Sequence, residues 1–161
     1  MPETPLAPFI GDRVPRILVV DDHPANLAVL AGHLERWRCT VATASTGQDA
    51  LAAARAFQPD LILLDILMPG MDGLAVCQAL QADPTTARIP VIFLTALTDV
   101  DTKVRAFDIG AYDYVTKPFD AAELAARVGA RLRQRYAEDD LYRRTGGAGR
   151  PPAASTGSCD R

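Results

Sequence analysis

Leu61-Ile62-Leu63-Leu64-Asp65 decides the fold: an unbroken apolar run that ends in a carboxylate. A strand with one wet face alternates polar and apolar residues, whereas a strand buried on both faces reads as a continuous run. Ile17–Val20 and Val91–Leu94 read the same way, each closing on a polar residue, Asp21 and Thr95. Val41–Ala44 and Tyr114–Val115 are weaker, which suits strands nearer the edges of a sheet.

Helical spacing fills the intervals. Pro24 stands at a good first-turn position, and Leu27, Leu30, Leu34 and Trp37 follow on one stripe. Ser45-x-x-Gln48 resembles a capping box opening a helix that ends before Pro59. Asp72 caps a helix carrying Leu74, Cys77 and Leu80. Thr98-x-x-Asp101 opens another that ends at Gly110, and Asp120-x-x-Glu123 opens the last, with Leu124, Val128 and Leu132 on one face. Strict alternation of strand and helix predicts an α/β fold: a doubly wound, five-stranded parallel sheet in three α/β/α layers, joined by right-handed crossovers.

Composition narrows the function. The 161 residues are 48% hydrophobic and 23% charged, the profile of one soluble globular domain. A net charge of −3 offers no general attraction to phosphate backbones, so nucleic acid is not expected as a partner. No apolar run approaches the ~20 residues of a membrane span. Met1–Val14 is Pro-rich and lacks the basic region of a signal peptide. Cys39, Cys77 and Cys159 form no C-x-x-C pair, which argues for reduced thiols and a cytoplasmic location. The expected organisation is a flexible arm over 1–15, a folded domain over 16–137, an extension of the last helix over 138–144, and a disordered tail or linker over 145–161.

In open α/β sheets, ligands bind beyond the carboxyl ends of the strands. Asp21-Asp22, Asp65, Thr95 and Lys117 stand at four of those ends. Three crowded carboxylates need a hard cation, and a few oxygen ligands with open positions suit Mg²⁺. No histidine or cysteine joins the cluster at metal-ligand spacing, which argues against zinc. Cation, lysine and hydroxyl around one carboxylate suit a tetrahedral anion, and a carboxylate beside Mg²⁺ can become an aspartyl phosphate.

Arg16-Ile-Leu-Val-Val-Asp21-Asp22, Leu64-Asp65-Ile-Leu-Met-Pro69-Gly-Met-Asp-Gly73, Phe93-Leu-Thr95-Ala96 and Tyr114-Val-Thr-Lys117-Pro118-Phe119 together resemble the receiver domain of two-component response regulators. The resemblance covers roughly residues 15 to 137, and implies a flavodoxin-like strand order of 2-1-3-4-5. It implies that Asp65 is the phosphoacceptor, charged from a phosphohistidine of a sensor histidine kinase or phosphotransfer protein. Asp22 corresponds to a direct Mg²⁺ ligand and Asp21 to one acting mainly through water, with Asp65 and the Leu67 backbone carbonyl completing the protein ligands. Lys117 corresponds to the residue pairing with the acceptor and then with phosphoryl oxygens. Its compact ammonium explains a lysine in a chain holding fifteen Arg and two Lys. Thr95 corresponds to the hydroxyl that moves to the phosphoryl group, Ala96 leaves room for it, and Tyr114 corresponds to the aromatic switch. The Lys117–Pro118 bond is expected to be cis.

Phosphorylation adds charge and acceptor oxygens that Thr95 and Lys117 satisfy better in one loop arrangement, shifting a two-state population. The expected readout is the last helix–strand–helix face, about 101–135, where Lys103, Asp113, Glu123 and Arg127 suit a homodimer or simply form a solvated surface. The output is a downstream protein partner or a covalently linked output domain, the chain being either a single-domain regulator or the receiver part of a longer protein. Leu67 and Leu97 follow Asp65 and Thr95 at the positions that govern the hydrolytic water, so slow self-dephosphorylation is expected.

Rival readings are weaker. A haloacid-dehalogenase-type phosphatase needs a second Asp where Leu67 stands, and a flavodoxin-like cofactor binder needs a Ser/Thr/Gly-rich loop where Asp21-Asp22-His23-Pro24 stands. His23 reads as a loop histidine at the rim and His33 as a surface residue. Cys39 and Cys77 read as packing residues, and the arginines at 127, 131, 133, 135, 143 and 144 as a solvated helix face interleaved with Glu138, Asp139 and Asp140.

Overall fold

The computed structural model describes residues 4–96 and 113–144, the side chains of Thr95 and Ala96 excepted. A short helix α1 (Ala7–Ile10) precedes β1 (Arg16–Val20), α2 (Pro24–Arg36), β2 (Thr40–Ala44), α3 (Gly47–Phe57) and β3 (Leu61–Asp65). Then come α4 (Gly73–Ala82), β4 (Val91–Ala96), β5 (Asp113–Lys117) and α5 (Ala121–Arg144). The helix expected over 98–110, with Lys103, lies outside the described residues, as does Leu97.

All strand pairs are parallel and the order is β2-β1-β3-β4-β5, so the two weak runs are the two edges. The continuous runs are central because both of their faces are covered. Leu18, Val20, Ile62 and Leu64 point into one core with Ala50, Ala54, Leu74 and Leu80. Ile17, Val19, Leu61 and Leu63 point into the other with Leu30, Leu34, Leu124 and Val128. Asp72 caps α4 as expected, accepting from the Ala75 amide at 2.9 Å. At α3 the cap is Thr46, which accepts from the Asp49 amide at 3.1 Å, so the helix starts one residue later than a Ser45 box implies.

The amino-terminal arm departs from its expectation. Composition marks 1–15 as loose, yet Leu6 is fully buried among Ile17, Leu34, Trp37 and Leu132. Phe9 lies against α5 where Gly129 leaves no room for a Cβ. Arg133 covers the Phe9 ring at 5.2 Å, and Arg13 reaches Asp140 at 3.3 Å and the Tyr136 ring at 4.3 Å. Three apolar residues, Leu6, Phe9 and Ile10, are too few for a periodic signal, and their partners on α5 are more than a hundred positions away in the chain.

Leu6→Ala removes a fully buried side chain and should cost about 2–5 kcal/mol in urea unfolding. Pro5 and Pro8, both exposed on the same arm, should tolerate substitution with little change.

Candidate functional site

The carboxyl ends of the strands bring the expected residues together. Asp21 follows β1 and is fully buried, and Asp65 closes β3 with 5% of its surface exposed. Gly73 opens α4 against the Asp65 carbonyl and the Ile66 Cα, which a Cβ would meet at 2.7 Å. Its amide donates to the Ile66 carbonyl at 2.8 Å, fixing the loop from Asp65 to α4. Lys117 closes β5, and its ammonium lies 3.2 Å from Asp21 Oδ2 and 3.4 Å from Asp65 Oδ1. The Lys117–Pro118 peptide is cis. By register, Thr95 and Ala96 stand opposite Thr116 and Lys117 at the carboxyl end of β4. Tyr114 pairs with Phe93 at the other end of β5, half-buried against the core. Leu67 is 59% exposed, so its side chain reaches into solvent beside the site.

The two buried carboxylates are not equivalent. Burial pushes Asp21 upward, but the His23 amide, Lys117 and Asn26 outweigh it and hold its pKa below the ordinary value. Burial pushes Asp65 upward too, and repulsion from Asp21 adds to it, so its pKa stays raised despite Lys117 and the Leu67 amide. Asp21 has both oxygens engaged: Oδ1 accepts from the His23 amide at 2.9 Å, and Oδ2 from Asn26 and Lys117, each at 3.2 Å. Asp22 differs, because its Oδ1 is buried and accepts no hydrogen bond.

Three residues were missed or misplaced by sequence reasoning. Asn26, in the first turn of α2, steadies Asp21, and only the turn of the helix over the strand end reveals it. His23 does join the acidic cluster: its Nδ1 lies 3.4 Å from Asp21 Oδ1 and 3.2 Å from Asp22 Oδ1, which corrects the expectation that no histidine does so. Adjacent sequence positions point to opposite sides in an extended strand, but the chain turns at Asp22 and brings His23 back. His33 is half-buried rather than free on the surface, stacked near Trp37 and edge-on to Phe119.

One ligand atom from each of Asp21, Asp22, His23 and Asp65 fits within 4.8 Å of all the others. An octahedral ion with metal–oxygen distances of about 2.1 Å spans about 4.2 Å across opposite ligands, close to that size. The donorless Asp22 oxygen and the repulsion felt by Asp65 both fit a divalent cation.

The sheet order and this rim match one family. Residues 17–129 match the response regulator receiver domain. The chain belongs to that family. The receiver is 48% identical over 121 residues to the DNA-binding dual master transcriptional regulator RpaA of Synechocystis, covering 75% of this chain and 50% of that protein. It is 46% identical over 129 residues to the response regulator PleD of Caulobacter vibrioides, covering 80% of this chain and 28% of the relative. The chain therefore spans half or less of the length of these curated relatives. Chemotaxis protein CheY4 of Vibrio cholerae superposes with a TM-score of 0.68 at 28% identity, covering 72% of this chain and 97% of CheY4. Among the described residues, no helix of this receiver is long and apolar enough to cross a membrane.

The unequal carboxyls give opposite pH signatures. A raised folded pKa means that ionised Asp65 weakens the fold at neutral pH and stops doing so as the pH falls through that pKa. Asp65→Asn should therefore raise the melting temperature at pH 7, with the gain vanishing in acid. Asp21→Asn should lower it at pH 7, the lost stability being absent once the pH falls through the depressed pKa. Thermal melts across pH 3 to 7 check both.

Proposed function

We propose that Asp65 accepts a phosphoryl group from the phosphohistidine of a sensor histidine kinase or phosphotransfer protein. One Asp65 oxygen forms the new P–O bond as the P–N bond to the donor imidazole breaks, the electron pair leaving on the ring nitrogen. The observation that carries this reading is the Lys117 ammonium, in reach of both Asp21 and Asp65. It neutralises the acceptor before transfer and pairs with phosphoryl oxygens after it, as a compact point charge suits. Asp22, Asp65 and the Leu67 backbone carbonyl would hold Mg²⁺ directly and Asp21 through water, since the oxygens of Asp21 are already engaged by donors. When bound, that ion supplies neutralisation of the phosphoryl oxygens.

Thr95 and Tyr114 then act as the switch, with Thr95 drawn to the phosphoryl group and the Tyr114 ring following it inward. The chain catalyses only its own phosphorylation and slow dephosphorylation, working in the cytoplasm beside its donor. Residues 16–137 form the receiver, 138–144 prolong its last helix and 145–161 serve as a tail or linker. The output is a separate protein or a linked domain, and the receiver itself contacts neither nucleic acid nor membrane.

In Mg²⁺ with acetyl phosphate, wild type should take up one phosphoryl group per chain by intact mass. Asp65→Asn should take up none, and EDTA should abolish labelling; labelling of Asp65→Asn at the wild-type level would overturn the assignment. The apolar, exposed Leu67 cannot orient water, so the phosphoprotein should last hours rather than seconds, and Leu67→Asn should shorten that lifetime.

The readout we propose is a homodimer through the last helix–strand–helix face. Arg127 already pairs within the chain, with Asp113 at 2.7 Å and Glu123 at 3.3 Å, so dimerisation would exchange those partners between copies. Light scattering with beryllofluoride bound should show twice the monomer mass, reverting in Arg127→Glu. A monomer at high concentration would exclude this readout.

A further inference from the structure

The His23 imidazole belongs to neither core and lies against two carboxylates. His23 is the N-cap residue of α2, yet its side chain caps nothing. Its side chain is 68% exposed and free to turn to water, but Nδ1 faces inward between two carboxylates. The backbone holds it there, because the His23 amide donates to Asp21 Oδ1 at 2.9 Å.

The acceptors around it are divided. Both Asp21 oxygens are taken by donors, whereas Asp22 Oδ1 is buried with none. The residues left facing a cation are therefore Asp22, Asp65 and His23, each with one ligand atom inside the 4.8 Å cluster. A set made of carboxylates and a carbonyl is an oxygen site, which suits Mg²⁺. An imidazole changes that, because nitrogen ligands favour later first-row ions, and affinity rises from Mn²⁺ through Co²⁺.

We propose that His23 is a nitrogen ligand of this site and sets its metal preference, favouring Co²⁺ and, less strongly, Mn²⁺ over Mg²⁺. The proposal rests on reading the rim as a divalent-cation site. It extends that reading from which residues hold the ion to which ion they choose. An exposed side chain on the helix cap can be replaced without disturbing either core, so the variant keeps the fold.

The test titrates the full metal-free chain with Mg²⁺, Mn²⁺ and Co²⁺ by calorimetry, in wild type, His23→Ala and Asp22→Asn. In His23→Ala, Co²⁺ affinity should fall roughly tenfold or more and Mn²⁺ affinity less, while Mg²⁺ changes by under about twofold. The visible absorption of bound Co²⁺ should also shift between wild type and His23→Ala, a readout independent of affinity. Identical Mg²⁺-to-Co²⁺ ratios in the two proteins would overturn the proposal, leaving His23 as a counter-ion of the carboxylates. That result leaves the phosphoryl reading intact. Failure of wild type to bind any of the three ions would overturn both.

Discussion

One ammonium makes the acidic rim possible. Asp21 and Asp65 are buried side by side, and taking such a pair out of water unpaired is costly. Lys117 answers both carboxylates at once, and the sheet order explains why a lysine is needed. β1 and β3 are neighbours, but β4 separates β3 from β5, so the backbones of β3 and β5 stand about 9–10 Å apart. A short donor on β5 would not reach. A four-carbon stem does, and it ends in a point charge that serves two carboxylates without demanding the planar geometry of a guanidinium.

The same arrangement sets function against stability. Asp21 is surrounded by donors and stays strongly acidic, while Asp65 is left with burial, repulsion and a share of one ammonium. Of the two carboxylates, Asp65 is therefore the one whose charge is less satisfied. A fold that carries an under-solvated carboxylate at its rim must recover the loss elsewhere. The recovery is visible in the two cores, where every residue of β3 is buried and both of its faces are covered.

What could be read from the amino-acid order follows the range of the physics. Leu61–Leu64 declares its burial on both faces because a continuous apolar strand has few other uses, and the weak runs at 41–44 and 114–115 declare themselves edges. Asp21, Asp65 and Lys117 were legible because strand ends in such sheets face one rim. Leu6 and Asn26 were not, and His23 was legible as a residue of the rim but not as a member of the acidic cluster. Leu6 and Asn26 act through tertiary contacts that no local period encodes, and His23 acts through the turn of the chain after β1, which one sequence cannot reveal. The Thr46 cap was missed for a smaller reason: Ser45 and Thr46 both satisfy the chemistry, and only the φ and ψ of the entering chain choose between them.

The docked arm bears on how far the receiver extends along its last helix. α5 runs for 24 residues, about 36 Å, but its buried residues end at Leu132. Beyond that point charged and polar residues predominate, with Tyr136 partly buried against the core, and such a helix has little else of its own to hold it. What meets it is Arg13 on Tyr136 and Asp140, Arg88 on Asp139 and Tyr142, and the Tyr136 hydroxyl on Asp60 at 3.2 Å. Each exposed ion pair contributes little alone. Leu6 and Phe9 change that balance, because they bury apolar surface against α5 and carry Arg13 to the helix beyond its core contacts. The arm therefore belongs mechanically to α5, and the folded unit reaches further along that helix than its own apolar stripe would carry it.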